Sequence, residues 1–581
     1  MAWYDEAIFY HIYPIGMLGA PRSNDYSGTE HRLRELEDYI GHIKEIGCNA
    51  IYIGPLFESR THGYDTTDYK KLDSRLGDNA DLKKFVADCH EAGIKVVFDG
   101  VFNHVGRDFF AFKDLQANRE GSAYRDWFCN VNFGGNNEFN DGFSYDNWGG
   151  VNILVKLNQR NPAVKDYIAG VIQFWVDEFD VDGIRLDAAD VLDFDFMKSL
   201  RVLADHIKPE FWLMGEVIHG DYTRWVNEGT LHCVTNYVLH KALFSGHNDH
   251  NYFEIAHTVN RLVDMGANRP DGLKLYNFTD NHDVDRIISK LNNRANYFPV
   301  HVLEYTLPGI PSIYYGSELA IEGKIEGRRD ENSDAILRPR LSYDDVKDSM
   351  TTNQYTKLIA RLGQIRQENK VLSHGEYKQL VLTNRQYVFS RNTSDAAAII
   401  AVNNDEGEAT VAGGGARDGQ YIGLLSGKTL SVSGTGFNVT IPANSGEIYI
   451  LQGNQTVEPE PIPEPVTIEP VKEPEPAPAV EPTPVAEPEP VQEQERTVRQ
   501  VSPKVPSGGA AAKYGLAEKY ASIEPTDIAA RSDYESMTME ELQVAILEKM
   551  AHNGPVNEQM VKTVMDNVYM DSLKNWVRSF N

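Results

Sequence analysis

The stretch "GIRLDAADV", residues 183–191, holds three charged side chains, and two of them, Arg185 and Asp187, lie in a run that otherwise has the composition of a buried strand. Side chains two positions apart on a strand share a face, so Arg185 and Asp187 should point the same way while Ile184 and Leu186 pack on the other side. Burying a guanidinium beside a carboxylate costs free energy unless another interaction or a function offsets it. On its own, an Arg-x-Asp pair is more often a structural ion pair than a catalytic one.

Three further strand-like runs carry polar side chains where the run ends. These side chains are Asp99, Asn103 and His104 on one run, Glu216 on another, and Asn281, His282 and Asp283 on a third. Parallel barrels build their active sites at the carboxyl ends of their strands. Because four clusters at four strand ends are hard to explain by packing, the sequence predicts one constellation of carboxylates with an arginine and two histidines.

Glycoside hydrolysis with retention is the chemistry that needs such a set. One carboxylate attacks the sugar, and a second carboxyl must hold a proton near neutral pH and deliver it to the leaving oxygen. We expect Arg185 to lower the pKa of Asp187 and to keep it ionised. Glu216 lies among apolar neighbours in "LMGEV", which should raise its pKa. The two carboxyls would then divide the roles of nucleophile and acid.

The elements that must position these groups are short apolar runs alternating with helical patterns. Their number and order predict an α/β fold, a closed (β/α)8 TIM barrel, and eight units in a row disfavour the alternative of an open doubly wound sheet. One expected crossover helix is residues 31–47, with leucine and isoleucine at helical spacing. The eight predicted strands are residues 7–14, 48–55, 94–104, 181–188, 211–217, 233–238, 274–283 and 310–318.

Composition divides the chain further. The barrel is predicted over residues 1–104 and 158–368, interrupted by a Gly-, Asn- and aromatic-rich inserted domain at 105–157, which is too long for an ordinary loop. Residues 369–452 are strand-like and rich in turns, which predicts a C-terminal β-sandwich. Residues 453–508 are rich in proline and glutamate, so we expect a disordered, extended linker.

The last segment, residues 509–581, has helical rather than strand-like periodicity. Thr538 and Glu541 form a capping-box pattern, and the following apolar residues fall on one helical face. We therefore predict a small helical module on the end of a long tether. Two interpretations stay open: a module that docks on a protein partner, and an independent bundle that has none.

Charge and cysteine content restrict the class of protein. The formal net charge of −29 argues against nucleic acid and anionic membranes as partners. No run approaches the ~20 apolar residues of a membrane span. The N-terminal residues are acidic and lack a signal pattern, so if Met1 is the native start we expect a cytoplasmic protein. The four cysteines form no CxxC pair and are expected to be buried free thiols.

At this point the motifs match a family. Over about residues 7–450 the chain resembles glycoside hydrolase family 13, the α-amylase family. "DGVFNH", "GIRLDAADV", "GEV" and "FTDNHD" look like its first four conserved regions in order, and "LVKLN" looks like its fifth. "HGYDTTDYKKLDSRLG" and "SDAILRP" are similar to two further segments. "LVKLN" and "GEVIH" are nearest to the cyclomaltodextrinase, neopullulanase and maltogenic amylase group.

The resemblance implies a role for each matched residue. Asp187 would be the nucleophile, Glu216 the general acid/base and Asp283 the stabiliser of the transition state. Arg185 would orient the nucleophile. The remaining residues are expected to bind substrate: His104 and His282 by hydrogen bonds, Tyr64 by stacking on the sugar ring, Asp334 and Arg338 at the far hydroxyls, and Asp99 within the strand-end constellation.

One segment departs from the α-amylase pattern. That pattern has Lys-His at the third and fourth positions after the nucleophile, where this chain has Asp190 and Val191. In α-amylases the backbone of this histidine helps to hold a calcium ion. We therefore expect no cofactor and no metal, although Asn103 could join oxygens of the inserted domain in a calcium site.

Three functions are compatible with this sequence to different degrees. The first is hydrolysis of α-1,4-linked glucans, with maltooligosaccharides or starch-type polysaccharides as the partner molecules. The second is transfer of the glycosyl unit to another sugar through the same covalent intermediate. The third is a carbohydrate-binding barrel without catalysis, which is disfavoured because all three of Asp187, Glu216 and Asp283 are present.

Overall fold

A computed structural model describes most of the chain: residues 2–267, 269, 272–325, 333–452, 509–514, 516, 520, 522–553 and scattered positions up to 577. The chain divides into two compact units, Met1–Pro474 and Glu475–Asn581, which are described separately. The predicted linker, residues 453–508, lies outside the described residues.

Eight parallel strands close into a barrel, which confirms the predicted fold class. Each strand pairs with its neighbours in sequence, and the last strand pairs with the first. We number them β1 Phe9–Ile12, β2 Ala50–Ile53, β3 Lys95–Gly100, β4 Gly183–Leu186, β5 Trp212–Gly215, β6 Cys233–Thr235, β7 Leu275–Phe278 and β8 Ile310–Tyr314.

The lower interior of the barrel is filled with side chains. Phe9, Trp212 and Tyr276 belong to one buried cluster, in which the rings of Phe9 and Trp212 stack with centroids 5.1 Å apart. Strands that are buried on both faces read as continuous apolar runs, and β1, β2, β4 and β5 are buried at every position. Because the interior is packed, a substrate can only meet the barrel at its end.

Helices follow most strands, with two departures from the predicted pattern. Residues 31–47 form a 3-10 helix, Arg32–Glu37, and then an α-helix, Tyr39–Glu45. Leu33 and Leu36, three residues apart, are both buried on one face of the 3-10 helix. Between β5 and β6 there is only a 3-10 turn and no α-helix. The other barrel helices are Pro14–Met17, Asn79–Glu91, Pro162–Phe179, Phe194–Ile207, Tyr237–Asn248, Tyr252–Leu262, Ile287–Lys290, Tyr297–Thr306, Tyr343–Val346, Ser349–Thr352 and Gln354–Glu368.

The predicted insertion after β3 is confirmed as a small domain. It holds a three-stranded antiparallel sheet around aromatic side chains, and its first strand begins directly at His104. A separate hairpin, Phe57–Ser59 with Thr66–Leu72, follows β2 and carries Tyr64 in its loop. The inserted elements are His104–Gly106, the helix Phe110–Asn118, the 3-10 turns Arg119–Gly121 and Arg125–Trp127, Asn147–Trp148 and Val151–Lys156.

The C-terminal sandwich is confirmed as two antiparallel sheets with a shared core that includes Ile399, Tyr421 and Val439. It follows the short helix Val371–His374. One sheet contains Glu376–Leu382, Gln386–Asn392, Ala397–Asn403, Ser445–Leu451, Gly419–Gly423 and Thr429–Val432, and the other contains Ala409–Gly413 and Phe437–Ile441.

The second unit is helical, as predicted, with helices Gly509–Tyr514, Pro525–Ala530 and Met539–Asn553. Its capping box forms: the Thr538 amide donates to the Glu541 carboxylate at 2.8 Å, and the Glu541 amide donates to the Thr538 hydroxyl at 3.2 Å. In both units, none of the described helices combines the length and apolar character needed to cross a bilayer.

The four cysteines are unpaired, as expected. Cys48, Cys89 and Cys233 are buried. Cys129 is only partly buried, because it lies in the small inserted domain rather than in the barrel core.

Candidate active site

The register of the barrel brings the predicted strand-end residues together. Asp99 on β3 and Arg185 on β4 are direct partners across the sheet. Asp187 and Glu216 each follow the end of their strand, and both backbones stay in the ladder: Asp187 N–H donates to the Gly100 carbonyl, and Glu216 N–H to the Leu186 carbonyl. Three adjacent strands therefore fix three carboxylates and one guanidinium at the same end of the barrel.

Arg185 contacts all three carboxylates. Its Nη1 donates to Asp99 Oδ1 at 2.9 Å and to Asp187 Oδ1 at 3.0 Å, and its Nη2 lies 2.9 Å from Glu216 Oε2. The Arg185 side chain is only 4% exposed. The cost of burying this cation is thus offset by three anionic partners rather than by the single partner that the sequence suggested.

The predicted outcome for Asp187, a lowered pKa, is wrong, although Arg185 acts in the predicted direction. Burial raises the pKa of Asp187 well above its ordinary value; Arg185 opposes this rise, and the nearby Glu216 and Asp99 add to it. The physical reason is that one guanidinium is shared by three carboxyls. A buried group of three acids and one cation is driven to keep a proton, and interacting sites hold such a proton jointly.

The predicted apolar surroundings of Glu216 are also wrong. Besides Arg185, the Ala188 amide donates to Glu216 Oε2 at 3.0 Å, and the Tyr237 hydroxyl donates to Oε1 at 3.2 Å. The apolar neighbours in sequence lie along β5, whereas the carboxyl extends past the strand end into the polar site. Ala188 has left-handed backbone angles, φ 46° and ψ 44°, which are rare for a residue with a side chain and occur at functional sites.

A second polar cluster surrounds Asp283. Arg338 Nη2 donates to Asp283 Oδ1 at 2.8 Å, His282 Nε2 lies 3.0 Å from Oδ2, and Arg338 Nη1 donates to Asp334 Oδ2 at 2.5 Å. Burial alone would raise the pKa of Asp283, but His282 and Arg338 hold that pKa well below its ordinary value. The structure therefore brings Asp283, His282, Asp334 and Arg338 together, with Asp283 as a firmly ionised carboxylate.

The two predicted sugar-binding histidines each have a free ring nitrogen. Nε2 of His104 and Nδ1 of His282 are buried, and neither hydrogen-bonds to any of the described residues. Burial lowers the pKa of His104 to about 3, so its ring is neutral at ordinary pH. The Tyr64 hydroxyl lies 2.5 Å from His282 Nε2, and the two rings are nearly parallel. Both histidines can therefore offer a hydrogen-bonding atom to a ligand.

Three tyrosines that the sequence analysis did not select complete the site. Tyr237 links the two clusters, because its hydroxyl contacts Glu216 and accepts from Asn281 Nδ2 at 3.2 Å. Tyr52 on β2 donates to Asp99 Oδ2 at 2.8 Å, and Tyr13 stacks on His282. A usable signal was present, since each tyrosine lies on or just after a predicted strand, near its carboxyl end.

Open space lies beside the Asp283 cluster and beside the turn that follows Asp187. A cavity of about 630 Å³ is lined by Asp190 and Val191 from the turn after Asp187 and by inserted-domain residues such as Lys156. A second cavity, of about 440 Å³, is lined by Tyr13, His62, Asp334 and Arg338 among others. The second cavity therefore leaves room for a ligand beside the Asp283 cluster.

The case for a metal rests on Asn103, whose side-chain oxygen is buried without a hydrogen-bond partner. Among the described residues, one group of three acidic or histidine ligands is close enough to share an ion, and it is His31, Asp78 and Asp81. Asp78 and Asp81 already cap the helix Asn79–Glu91. A calcium ion takes six to eight oxygen ligands with several carboxylates, and no such group is found at Asn103 in the described part of the chain.

Comparison with known proteins covers the first unit. The family model described as the alpha amylase catalytic domain matches residues 25–356, and the alpha-amylase C-terminal domain matches 375–449. A cyclomaltodextrinase from a Bacillus species is 30% identical over 74% of this chain and 78% of the relative. One from Thermoanaerobacter pseudethanolicus is 31% identical over 69% of this chain and 71% of the relative. The acarbose-soaked debranching enzyme of Nostoc punctiforme superposes with a TM-score of 0.64 at 25% identity, covering 77% and 98% of the two chains.

Proposed function

The chain belongs to the α-amylase family of glycosidases, and from this premise we propose that it cleaves α-1,4-glucosidic bonds in maltooligosaccharides or starch-type glucans with retention of configuration. The observation that carries the proposal is the pair Asp187 and Glu216 on one guanidinium. Retention requires two carboxyls about 5–5.5 Å apart, and two acids bound to one arginine are held at close range. The cyclomaltodextrinase relatives add cyclic maltodextrins to the substrates worth testing.

Asp187 is proposed as the nucleophile. Arg185 holds Oδ1, and among the described residues no donor contacts Oδ2, which leaves this oxygen to attack the anomeric carbon. The attack forms a bond from Oδ2 to that carbon while the bond to the leaving oxygen breaks. This step requires Asp187 to be ionised and Glu216 to be protonated, so the proton shared by the buried acids must lie on Glu216 before the glycosidic bond breaks.

Glu216 is proposed as the acid and then the base. In the first step it gives its proton to the leaving glycosidic oxygen, and in the second step it takes a proton from the attacking water. The same carboxyl then returns to its starting state, while water releases the sugar from Asp187. Arg185, the Ala188 amide and Tyr237 would hold the Glu216 carboxylate in place between these steps.

Asp283 and its neighbours are proposed to bind the ring that is being cleaved. Asp283 is held ionised by Arg338 and His282, so it can accept hydrogen bonds from sugar hydroxyls that strengthen in the transition state. The free nitrogens of His104 and His282 are suited to further hydroxyls, and Tyr64 offers an aromatic face. Asp99 is buried against Arg185 and Tyr52, and it helps to hold the Arg185 guanidinium that binds Asp187.

Transfer to a sugar acceptor is the second candidate, because a sugar hydroxyl could attack the same covalent intermediate in place of water. Maltoheptaose hydrolysis followed by NMR tests the main proposal: we expect α-anomeric products first. A β-anomeric first product would refute retention. Products longer than the substrate would move the assignment toward transfer, and the absence of any cleavage would favour a binding barrel.

A further inference from the structure

Trp148 is a half-buried aromatic residue of the inserted domain, and its ring lies beside His104. The planes of the two rings are within 5° of parallel, and their centroids are 6.3 Å apart. His104 is proposed above to bind the sugar that is being cleaved, through its free Nε2. Two parallel rings at this separation overlap little, so the imidazole leaves most of the indole face uncovered. The site therefore has a second flat surface next to His104.

The sheet of the inserted domain brings these two rings together. The strands His104–Gly106 and Asn147–Trp148 pair with opposite edges of the strand Val151–Lys156. The pairing register shifts between Asn147 and Trp148. A shift of this kind bends a strand and re-aims the side chains that follow it, and such irregularities are common next to active sites. The position of Trp148 is thus set by the backbone of a three-stranded sheet.

A tight turn follows Trp148 and holds it at the tip of a hairpin. Trp148 pairs with Val151 across the two residues Gly149–Gly150, whose φ angles are 62° and 79°. Positive φ at both central positions is typical of the hairpin turn that glycine adopts most readily. Asn147 Nδ2 donates to Asn152 Oδ1 at 2.7 Å across the same hairpin. The tip is therefore held by its backbone and by a side-chain bridge, and neither of them covers the indole.

The Trp148 indole has binding capacity that the fold does not use. Among the described residues, no ring other than His104 and no cation contacts it, and its Nε1–H donates to none of them. Its cross-strand neighbour Val151 is 45% exposed. Trp127 of the same domain differs, because three aromatic side chains pack around its ring. Trp127 therefore serves the packing of the inserted domain, whereas Trp148 has a free face and a free donor.

A glucose unit fits such a surface, because it presents C–H bonds on its faces and hydroxyls around its rim. We propose that Trp148 is a substrate-binding residue whose indole stacks on the sugar unit next to the one that His104 holds. This inference rests on the proposed function, and it extends the site to at least two units of an α-glucan. Tyr64 and Trp148 would then each bind a different ring of the same chain.

Binding to the inactive variant Asp187→Asn tests this role without turnover. Titration calorimetry with maltoheptaose should give a Kd about 3- to 10-fold higher when Trp148→Ala is added, the scale of one aromatic contact. Trp148→Phe should restore most of the affinity, since it keeps an aromatic face. Phe110→Ala is the matched control. Phe110 is a 43% exposed aromatic residue of the same domain whose ring contacts lie outside both strand-end clusters, so the Kd should stay within about twofold.

Tryptophan fluorescence shows whether the sugar reaches the indole itself. Saturating maltoheptaose should change the emission of Asp187→Asn, and adding Trp148→Phe should remove most of this change. Trp127→Phe replaces the other tryptophan of the inserted domain, and the change should survive in that variant. A merely structural role for Trp148 would not produce this contrast, because the fluorescence response would then come from other tryptophans.

An unchanged Kd in Trp148→Ala, or a fluorescence response that survives in Trp148→Phe, would overturn the inference. Its failure is distinguishable from failure of the proposed function. If Asp187→Asn still cleaves maltoheptaose, or if the unchanged enzyme does not, the proposed function is wrong, whereas the binding data on the Trp148 variants still decide whether this indole holds a sugar.

Discussion

Two arginines at the end of the barrel bind carboxylates, and they differ in how many acids each one faces and in how much solvent reaches them. Arg185 is buried among Asp99, Asp187 and Glu216, whose side chains are 14% exposed or less. Arg338 faces Asp283 and Asp334, whose side chains are about 40% exposed, and His282 Nε2 lies 3.0 Å from Asp283 on the same side.

The two clusters leave their acids in opposite states. Around Arg185, burial outweighs the guanidinium and raises the pKa of Asp187. Around Arg338, the contacts with Arg338 and His282 outweigh burial and lower the pKa of Asp283. The ratio of cations to acids, together with burial, therefore decides where the site keeps a proton. A retaining glycosidase needs one proton at the bond that breaks and none on the group that stabilises charge, and the two clusters match this division.

The largest expected effect separates the acids within the Arg185 cluster. Asp187→Asn should lower kcat on maltoheptaose by about 10⁴-fold, since it removes the attacking oxygen anion and keeps the shape. Glu216→Gln should lose a similar factor on maltoheptaose and much less on an aryl maltoside, whose leaving group needs no proton. Steady-state kinetics on both substrates measure this.

Substrate binding provides the control for that experiment. Titration calorimetry with maltoheptaose should give Kd values for the two inactive variants that agree within a few-fold, because neither substitution changes the volume of the site. Equal losses for Glu216→Gln on both substrates would show that Glu216 is not the acid, and the contrast between its role and that of Asp187 would collapse.

Thermal stability sharpens the comparison between the clusters, because Asp187→Asn and Asp283→Asn should shift the melting temperature in opposite directions. The folded pKa of Asp187 is raised, so ionising it costs stability as pH rises, and Asp187→Asn should raise the melting temperature at pH 8 but not near pH 4. The folded pKa of Asp283 is lowered, so its ion pairs stabilise the fold above about pH 4 and are lost as pH falls.

Asp283→Asn should therefore lower the melting temperature at pH 7, by about 1 °C to 3 °C, with little change at low pH. The expected loss is about 1 kcal/mol or less, because solvent screens a side chain that is 40% exposed. Calorimetric scans at pH 4, 6 and 8 measure both variants, with Asp166→Asn as an exposed control that should not shift. Two shifts of the same sign would refute the opposite protonation states.

These clusters also show how far sequence reasoning reaches. Period-two alternation put Arg185 and Asp187 on one face, and strand order then put Asp99 beside them, so the contents of the Arg185 cluster were predictable. The surroundings of Glu216 were not, because its donors depend on barrel register, on the left-handed backbone at Ala188 and on Tyr237 at the start of the helix after β6. The absence of an α-helix between β5 and β6 was missed for another reason. The expected alternation of strands and helices was applied to this connection as well, although its residues show no helical pattern.

The smallest expected effect concerns metal. We expect dialysis against EDTA to change kcat/KM on maltoheptaose by less than about twofold and to leave the melting temperature unchanged, because a structural calcium ion would need a cage of oxygen ligands. Asn103 is the residue to watch, since its buried oxygen has no hydrogen-bond partner in the described structure. If activity falls after EDTA and only added calcium restores it, Asn103→Ala should remove that calcium response. A bound ion, as well as the two arginines, would then hold the two clusters in place.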